Sequence, residues 1–440
     1  MIKYFIKYFI LYSMLTILIA QIKTLTLEEC LKLGLENSNL LKISQSQVES
    51  SRAKIREAKS HLLPRLTLNA GYTKLSTVPP FRVNLPISPV PVTIQEAILD
   101  NYNVKLSINQ PLFTGMRLRS LKKAQQYNNN AEESTFSHDA NEVSYAIYSA
   151  FWNYYKTKKI LELALENCKQ LEKLVTDTKY FLQNGLVTRN DLLKLEVQYA
   201  NLKLNKIESE NAVNLSRASL NKLLGYNLAE QTEILVDTTD ITPEKYNLKE
   251  LINEAVKQRE QLKGLVMRIK SCEKYVTAAN SGWFPAIYLY GNYYYNKPNQ
   301  RFMPLQDEFN DSWDIGISLS WDLWNWRNTS SKISQAKQQL IQIQSRYEEI
   351  KKNIEMEVYQ SYLHIISAED KIEVNKIALT QAEENYRITT EKYNQQLVTS
   401  SDLIDAEVML TNAKTQYTHA LVDYQLTKVK LEKSIGRKIY

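Results

Sequence analysis

The stretch Trp313-Asp314-Ile315-Gly316-Ile317-Ser318-Leu319-Ser320-Trp321-Asp322 alternates without a break. Trp313, Ile315, Ile317, Leu319 and Trp321 fall on one side of an extended chain; the Asp, Gly and Ser residues fall on the other. Successive side chains of a strand point to opposite faces, so the segment predicts a strand with one apolar and one polar face. Three further segments read alike. Leu66, Leu68, Ala70 and Tyr72 alternate with Thr67, Asn69 and Gly71; Val104, Leu106 and Ile108 with Lys105, Ser107 and Asn109; Ile287, Leu289, Gly291 and Tyr293 with Tyr288, Tyr290 and Asn292. A half-buried strand of a water-soluble sheet carries the same pattern. Two features favour a membrane. Each segment runs to about ten residues, the length of a tilted membrane-spanning strand, and Trp313 and Trp321 bracket the apolar face as interfacial aromatics do. The expected barrel strands are residues 65–75, 103–111, 286–296 and 313–322. Their expected lipid-facing residues are Leu66, Leu68, Leu106, Ile108, Leu289, Trp313, Ile315, Ile317, Leu319 and Trp321.

Stoichiometry follows from that reading. Every backbone N–H and C=O must be paired in lipid, so an open four-stranded sheet cannot span a bilayer alone. About eight strands make the smallest closed barrel. One chain supplies four, so several chains must pool theirs: two would fill the interior with side chains, and three would leave a lumen.

Outside the strands the chain repeats itself. Residues 110–225 lie without a gap on residues 321–436 at an offset of 211, matching Leu186-Val187-Thr188 with Leu397-Val398-Thr399, Asp191 with Asp402 and Gly225 with Gly436. A second offset, 221, lays Leu27 on Leu248 and Pro64 on Pro285. Each copy reads helix, Pro, strand, loop, strand, very long helix, turn, long helix. No Gly or Pro stands between Gly115 and Gly185 or between Gly316 and Gly436, which predicts continuous helices over 116–183 and 328–395, each roughly 100 Å long. Their partners are expected over 189–224 and 400–435, and shorter helices over 27–62 and 248–283, ending at Leu63-Pro64 and Phe284-Pro285. Apolar residues at three- and four-residue spacing, such as Leu161, Leu165, Cys168, Leu171, Leu174 and Val175, predict coiled-coil seams. The fold class is therefore mostly α, with long antiparallel coiled-coil helices and four membrane strands per chain in a tandem structural repeat. The expected divisions are a signal peptide (1–20), a first repeat (21–225, tip 183–191), a linker (226–247) and a second repeat (248–440, tip 394–402).

Residues 1–20 place Lys3 and Lys7 in an apolar run ending at Ala20, the pattern of a secretory signal peptide. Three cysteines, Cys30, Cys168 and Cys272, are odd in number and at non-equivalent repeat positions, so free thiols are expected. The four histidines are scattered, and P-loop, GxGxxG and GxSxG motifs are absent from the sequence, so neither an enzyme, a cofactor nor a metal site is expected. The net charge of +7 is spread along helix faces without a basic run, which disfavours nucleic acid. Asp402 and Asp405 stand three residues apart, on one helix face. Three-fold symmetry would gather six such carboxylates at a narrowing that favours cations. Equally, Asp402 is an early-turn acid complementing its helix N-terminus, as Asp191 would be. Two functional classes remain: a passive membrane conduit, and a secreted periplasmic coiled-coil scaffold without a transmembrane barrel.

From the duplicated layout, the two Leu/Phe-Pro switches and the tips Asn184-Gly185-Leu186-Val187-Thr188 and Gln395-Gln396-Leu397-Val398-Thr399, the chain resembles the TolC family of bacterial outer-membrane efflux proteins. The resemblance implies a trimer with a twelve-stranded barrel in the outer membrane and a twelve-helix periplasmic tunnel. It also implies an exit duct for efflux or type I secretion, meeting a periplasmic adaptor (membrane fusion) protein and an inner-membrane transporter. Gly185, Leu186, Val187, Thr188, Gln396, Leu397, Val398 and Thr399 then become adaptor-docking tips, and Asp402, Asp405, Tyr393 and Asp191 the constriction and gate. The second tip departs from the family pattern, with Gln396 where Gly is usual and Val398 where a latching arginine is expected.

Overall fold

The computed structural model describes residues 23–84, 86–87, 89–236, 245–395 and 397–440. The expected signal peptide, the middle of the linker and Gln396 lie outside these. The elements are β1 (Lys23–Leu25), α1 (Leu27–Asn37), α2 (Asn39–Ser60), β2 (Arg65–Lys74), β3 (Phe81–Val83), β4 (Val92–Gln95), β5 (Asp100–Thr114), α3 (Arg117–Gln183) and α4 (Arg189–Leu224), then β6 (Thr232–Ile234), α5 (Leu248–Gln258), α6 (Glu260–Asn280), a 3-10 turn (Ser281–Trp283), β7 (Ala286–Lys297), β8 (Asn310–Ser320), α7 (Asn328–Asn394) and α8 (Ser400–Ser434). They divide between two compact units, one of residues 46–134 and 263–349, the other of residues up to 45, 135–262 and 350–440.

The first unit holds the sheet. Its strands are antiparallel in the order β2-β5-β7-β8, so β2 and β8 are the edges. Helix gives way to strand where Pro285 follows Phe284, whose extended backbone (φ −109°, ψ 151°) is the one that a following proline imposes. β5 is longer than its apolar alternation suggested, starting at Asp100 rather than near 103. Its polar first residues pair with the end of β2, Lys74 opposite Asp100, so pairing extends it past the hydrophobic pattern. The loop between β2 and β5 carries the small β3–β4 hairpin.

The second unit is a helical assembly around Leu25, Cys30, Ile147, Phe151, Tyr154, Leu220 and Leu224, all fully buried. Tyr154 takes its ring into that core and donates its hydroxyl to Thr232 O (2.9 Å). β1 and β6 pair in parallel, a contact between residues more than two hundred positions apart. The seam residues Leu171 and Val175 on α3 pack against Leu195 on α4. The three cysteines are free thiols.

The expected single helices over 27–62 and 248–283 are each two. Ser38 (ψ 118°) ends α1 and receives Leu41 N on its hydroxyl (3.3 Å), so it closes one helix and caps the next. Arg259, 221 residues on, breaks the second helix in the same way (ψ 116°). Another helix end passes close to each break. Gly225, after α4, has φ +78°, and a Cβ there would come within 2.9 Å of Asn37, which donates to Leu224 O (2.8 Å). Gly436, after α8, has φ +86°, and its Cβ would meet Arg259 N at 2.8 Å. Glycine alone suits both the left-handed backbone and the missing space.

Candidate functional site: the sheet face and the hairpin tips

The register collects the apolar residues of four strands onto one face. Leu66 lies opposite Ile108, Ile108 opposite Gly291 and Gly291 opposite Ile315; the next row runs Leu68, Leu106, Tyr293, Trp313. Leu289 faces Ile317, and Ile287 faces Leu319. Of the ten expected lipid-facing residues nine are exposed, Ile315 and Ile317 at 67%, while Leu289 is half-buried. So many large apolar groups held in water would forgo the burial that normally drives folding. Aromatic rings border the face at both ends. Tyr72 lies 4.9 Å from Tyr102, Tyr102 5.6 Å from Phe309 and Phe309 5.1 Å from Tyr295 near the loops. At the helix end Trp321 donates to Trp283 O (3.3 Å), and Trp324 meets Trp326 edge-on. The opposite face carries Thr67, Asn69, Asn103, Ser107, Asn292 and Ser312.

The hairpin tips are built alike. After α3, Gly185 (φ +75°) lets Gly185 N reach Leu182 O (3.0 Å) and Leu186 N reach Phe181 O (2.9 Å). Leu397 N reaches Lys392 O (2.9 Å) at the equivalent place after α7. Thr188 and Thr399 are extended N-caps, each closing a reciprocal capping box with the aspartate three residues on. Thr188 donates from N and Oγ1 to Asp191 Oδ2 (3.1 and 2.6 Å), and Thr399 does so to Asp402 Oδ2 (2.8 and 2.7 Å). These hydroxyl and amide donors hold both carboxyls below the usual aspartate range; the Ser400 hydroxyl and nearby Lys194 add to the effect at Asp191. Asp402 and Asp405 are exposed on α8, while Leu403 and Ala406, each next to one of them in the chain, are buried. Tyr393 brings its hydroxyl within 3.4 Å of Thr178 Oγ1.

Two features of the tips escaped the sequence reading. Ser400 Oγ donates to Asp191 Oδ1 (3.1 Å), tying one tip to the other. Glu407, one turn beyond Asp402, is 7% exposed, its Oε1 has no partner, and burial pushes its carboxyl up to about 7. The signal for it lay in the repeat. Glu196, its counterpart, pairs with Lys179 (3.0 Å), and the position equivalent to Lys179 is Thr390.

Residues 31–226 and 251–437 match the sequence profile of the outer membrane efflux protein family. The chain belongs to that family. Outer membrane protein TolC of Escherichia coli (strain K12) is 21% identical over 91% of this chain and 80% of its own length, and that of Vibrio cholerae is 21% identical over 91% and 88%. Among solved structures, the Campylobacter jejuni outer membrane channel CmeC superposes with a TM-score of 0.79 at 15% identity, covering 93% of this chain and 85% of that one. The open state of the Neisseria gonorrhoeae channel MtrE gives 0.74 at 17% identity, over 93% and 89%. The TolC-like efflux protein described here is thus an outer-membrane channel with a large periplasmic portion, mostly helical with a small set of strands. The scaffold without a barrel is set aside, and the relatives are channel proteins rather than enzymes.

Proposed function

We propose that three copies pool their sheets into a twelve-stranded barrel continued by a twelve-helix periplasmic tunnel. In this reading the protein is the passive exit duct of a tripartite efflux or type I secretion system. One observation carries it: a four-stranded sheet with a continuous apolar outer face and two long edges, β2 and β8, that no strand pairs with among the described residues. Lipid cannot satisfy those edges, but β8 of one copy can pair with β2 of the next. The helices support the same reading. Met356, Tyr359, Leu363, Ile366, Val374 and Ile377 of α7 are exposed at heptad-like spacing, as are Leu193, Val197, Leu204 and Ile207 of α4. Such unpartnered seams are what a neighbouring copy's helices would cover.

Energy would come from an inner-membrane transporter reached through a periplasmic adaptor. The tips at 185–188 and 396–399 are the proposed docking points, and Asp191, Tyr393, Asp402 and Asp405 the proposed constriction. Support for the ring falls unevenly. Asp402 is committed to its capping box, whereas Asp405 is exposed and outside it, so Asp405 is the better-placed group to meet a passing ion. Cross-linking of cysteines placed on β2 and β8 in native membranes tests the assembly. A ladder ending at three copies is expected; a chain that stays uncross-linked, or is released from the membrane by alkaline wash, overturns it.

A further inference from the structure

We propose that Lys105, Tyr294 and Arg301 form a cationic station on the polar face of the sheet that selects anionic solutes near the outer mouth of the channel; this rests on the barrel reading above. The loop after β7 does not stand away from the sheet. Asn299, only 2% exposed, donates to Asn310 O (3.0 Å) and Ser312 Oγ (3.1 Å) and accepts from Arg301 N (3.1 Å). So pinned, the loop lays Arg301 back over the polar face. Its guanidinium stacks 4.5 Å from the centre of the Tyr294 ring, donates to Trp313 O (3.1 Å) and bonds Asp314, which also accepts from Asn292 (2.7 Å). Lys105, directly across the ladder from Tyr294, holds its ammonium 5.2 Å from the same ring centre.

The charges do not cancel. Asp314 is the one carboxylate among the strand residues of this face, and it is already bonded to Arg301. Lys105 is left with the ring quadrupole, which attracts a cation without neutralising it. Loop and strand together bound a cleft of about 960 Å³ lined by Asn69, Asn103, Lys105, Tyr294, Arg301 and Ser312. Three copies around a lumen would set three such clefts facing one another. A ring of like charge in a confined lumen concentrates counter-ions, here small carboxylates or sulfonates as well as chloride. The Arg301 guanidinium, fixed by its bonds to Trp313 O and Asp314, also narrows the space over the polar face.

The test is conductance of the purified full-length protein in planar bilayers under a KCl gradient. Lys105→Glu is expected to lower chloride-over-potassium permeability about threefold, and Lys105→Gln to fall between it and wild type. Arg301→Gln, which removes the guanidinium and its bonds to Trp313 O and Asp314 while Asn299 still pins the loop, is expected to raise single-channel conductance about 1.5-fold. Inorganic tripolyphosphate added from the loop side should block wild type and spare Lys105→Gln. An oligomer resistant to unheated detergent, seen for each variant on a gel, confirms assembly independently of current. Channels that form but keep wild-type selectivity and block overturn the station alone. Wild type that never conducts overturns the channel reading, and the station with it.

Discussion

Ser400 Oγ donates to Asp191 Oδ1 across 3.1 Å, and this bond joins the two hairpin tips of one chain. The repeat makes the two capping boxes equivalent but not their surroundings, because Arg189 stands where the second tip has Ser400. Asp191 is therefore held from two sides and Asp402 from one. Ser400→Ala is expected to cost about 1 kcal/mol, the usual net worth of one hydrogen bond. Hydrogen exchange should quicken at the amides of residues 186–192 while the core around Leu25 keeps its protection. Uniform change across the chain would mean that the bond does not couple the tips.

The two aspartates of the proposed constriction separate by substitution. Asp405→Asn is expected to lower cation selectivity in bilayers and leave tip stability unchanged. Asp402→Asn weakens the capping box as well, so its tip amides should exchange faster. Asp402 is held below the usual carboxylate range, so its capping contribution is present above about pH 4 and is lost as pH falls through its depressed folded value. Selectivity insensitive to both substitutions argues against the ring.

Glu407 behaves in the opposite sense. Its folded carboxyl titrates at about 7 against an ordinary 4.5, so between these values the folded chain keeps a proton that the unfolded chain has released. Stability must fall as pH rises through that window, with the full cost present above it. Tyr386 on α7 is the ionisable group whose own titration is raised by burial and then by Glu407. Glu407→Gln is expected to match wild type in melting at about pH 4 and to exceed it by about 2–3 kcal/mol at about pH 8. Parallel melting curves for the two proteins would remove the buried carboxyl as the cause.

The faces of β8 predict a sharp contrast between neighbours. Ile317→Lys puts a charge on the apolar side, where a midplane lysine costs roughly 2–4 kcal/mol, and should block membrane assembly. Ser318→Lys points to the other face and should assemble normally. The readout is the fraction resistant to alkaline extraction, and equal fractions would contradict the assigned faces.

Close packing at the helix ends gives a last test. Gly436→Ala adds a methyl 2.8 Å from Arg259 N at φ +86°, and should destabilise by several kcal/mol, whereas Gly185→Ala meets open space and carries only the left-handed backbone penalty of about 1 kcal/mol. Comparable melting of the two variants would refute the crowding.

The amino-acid order by itself determined the local periods. Alternation at Trp313–Trp321 set the faces of a strand, and long stretches free of Gly and Pro set the lengths of α3 and α7, because each of these is decided by neighbours a few residues apart. The match at an offset of 211 set the repeated layout. Only the tertiary structure decided what distant segments bring together. The helix ends at Gly225 and Gly436 pass close beside the breaks at Ser38 and Arg259. The β1–β6 pair, the bond from Ser400 to Asp191 and the buried state of Glu407 likewise depend on contacts between distant segments, and Arg301 reaches Tyr294 because Asn299 bonds to Asn310 and Ser312 of the next strand. Hydrogen bonding and desolvation act through space, so no local pattern in the chain encodes them.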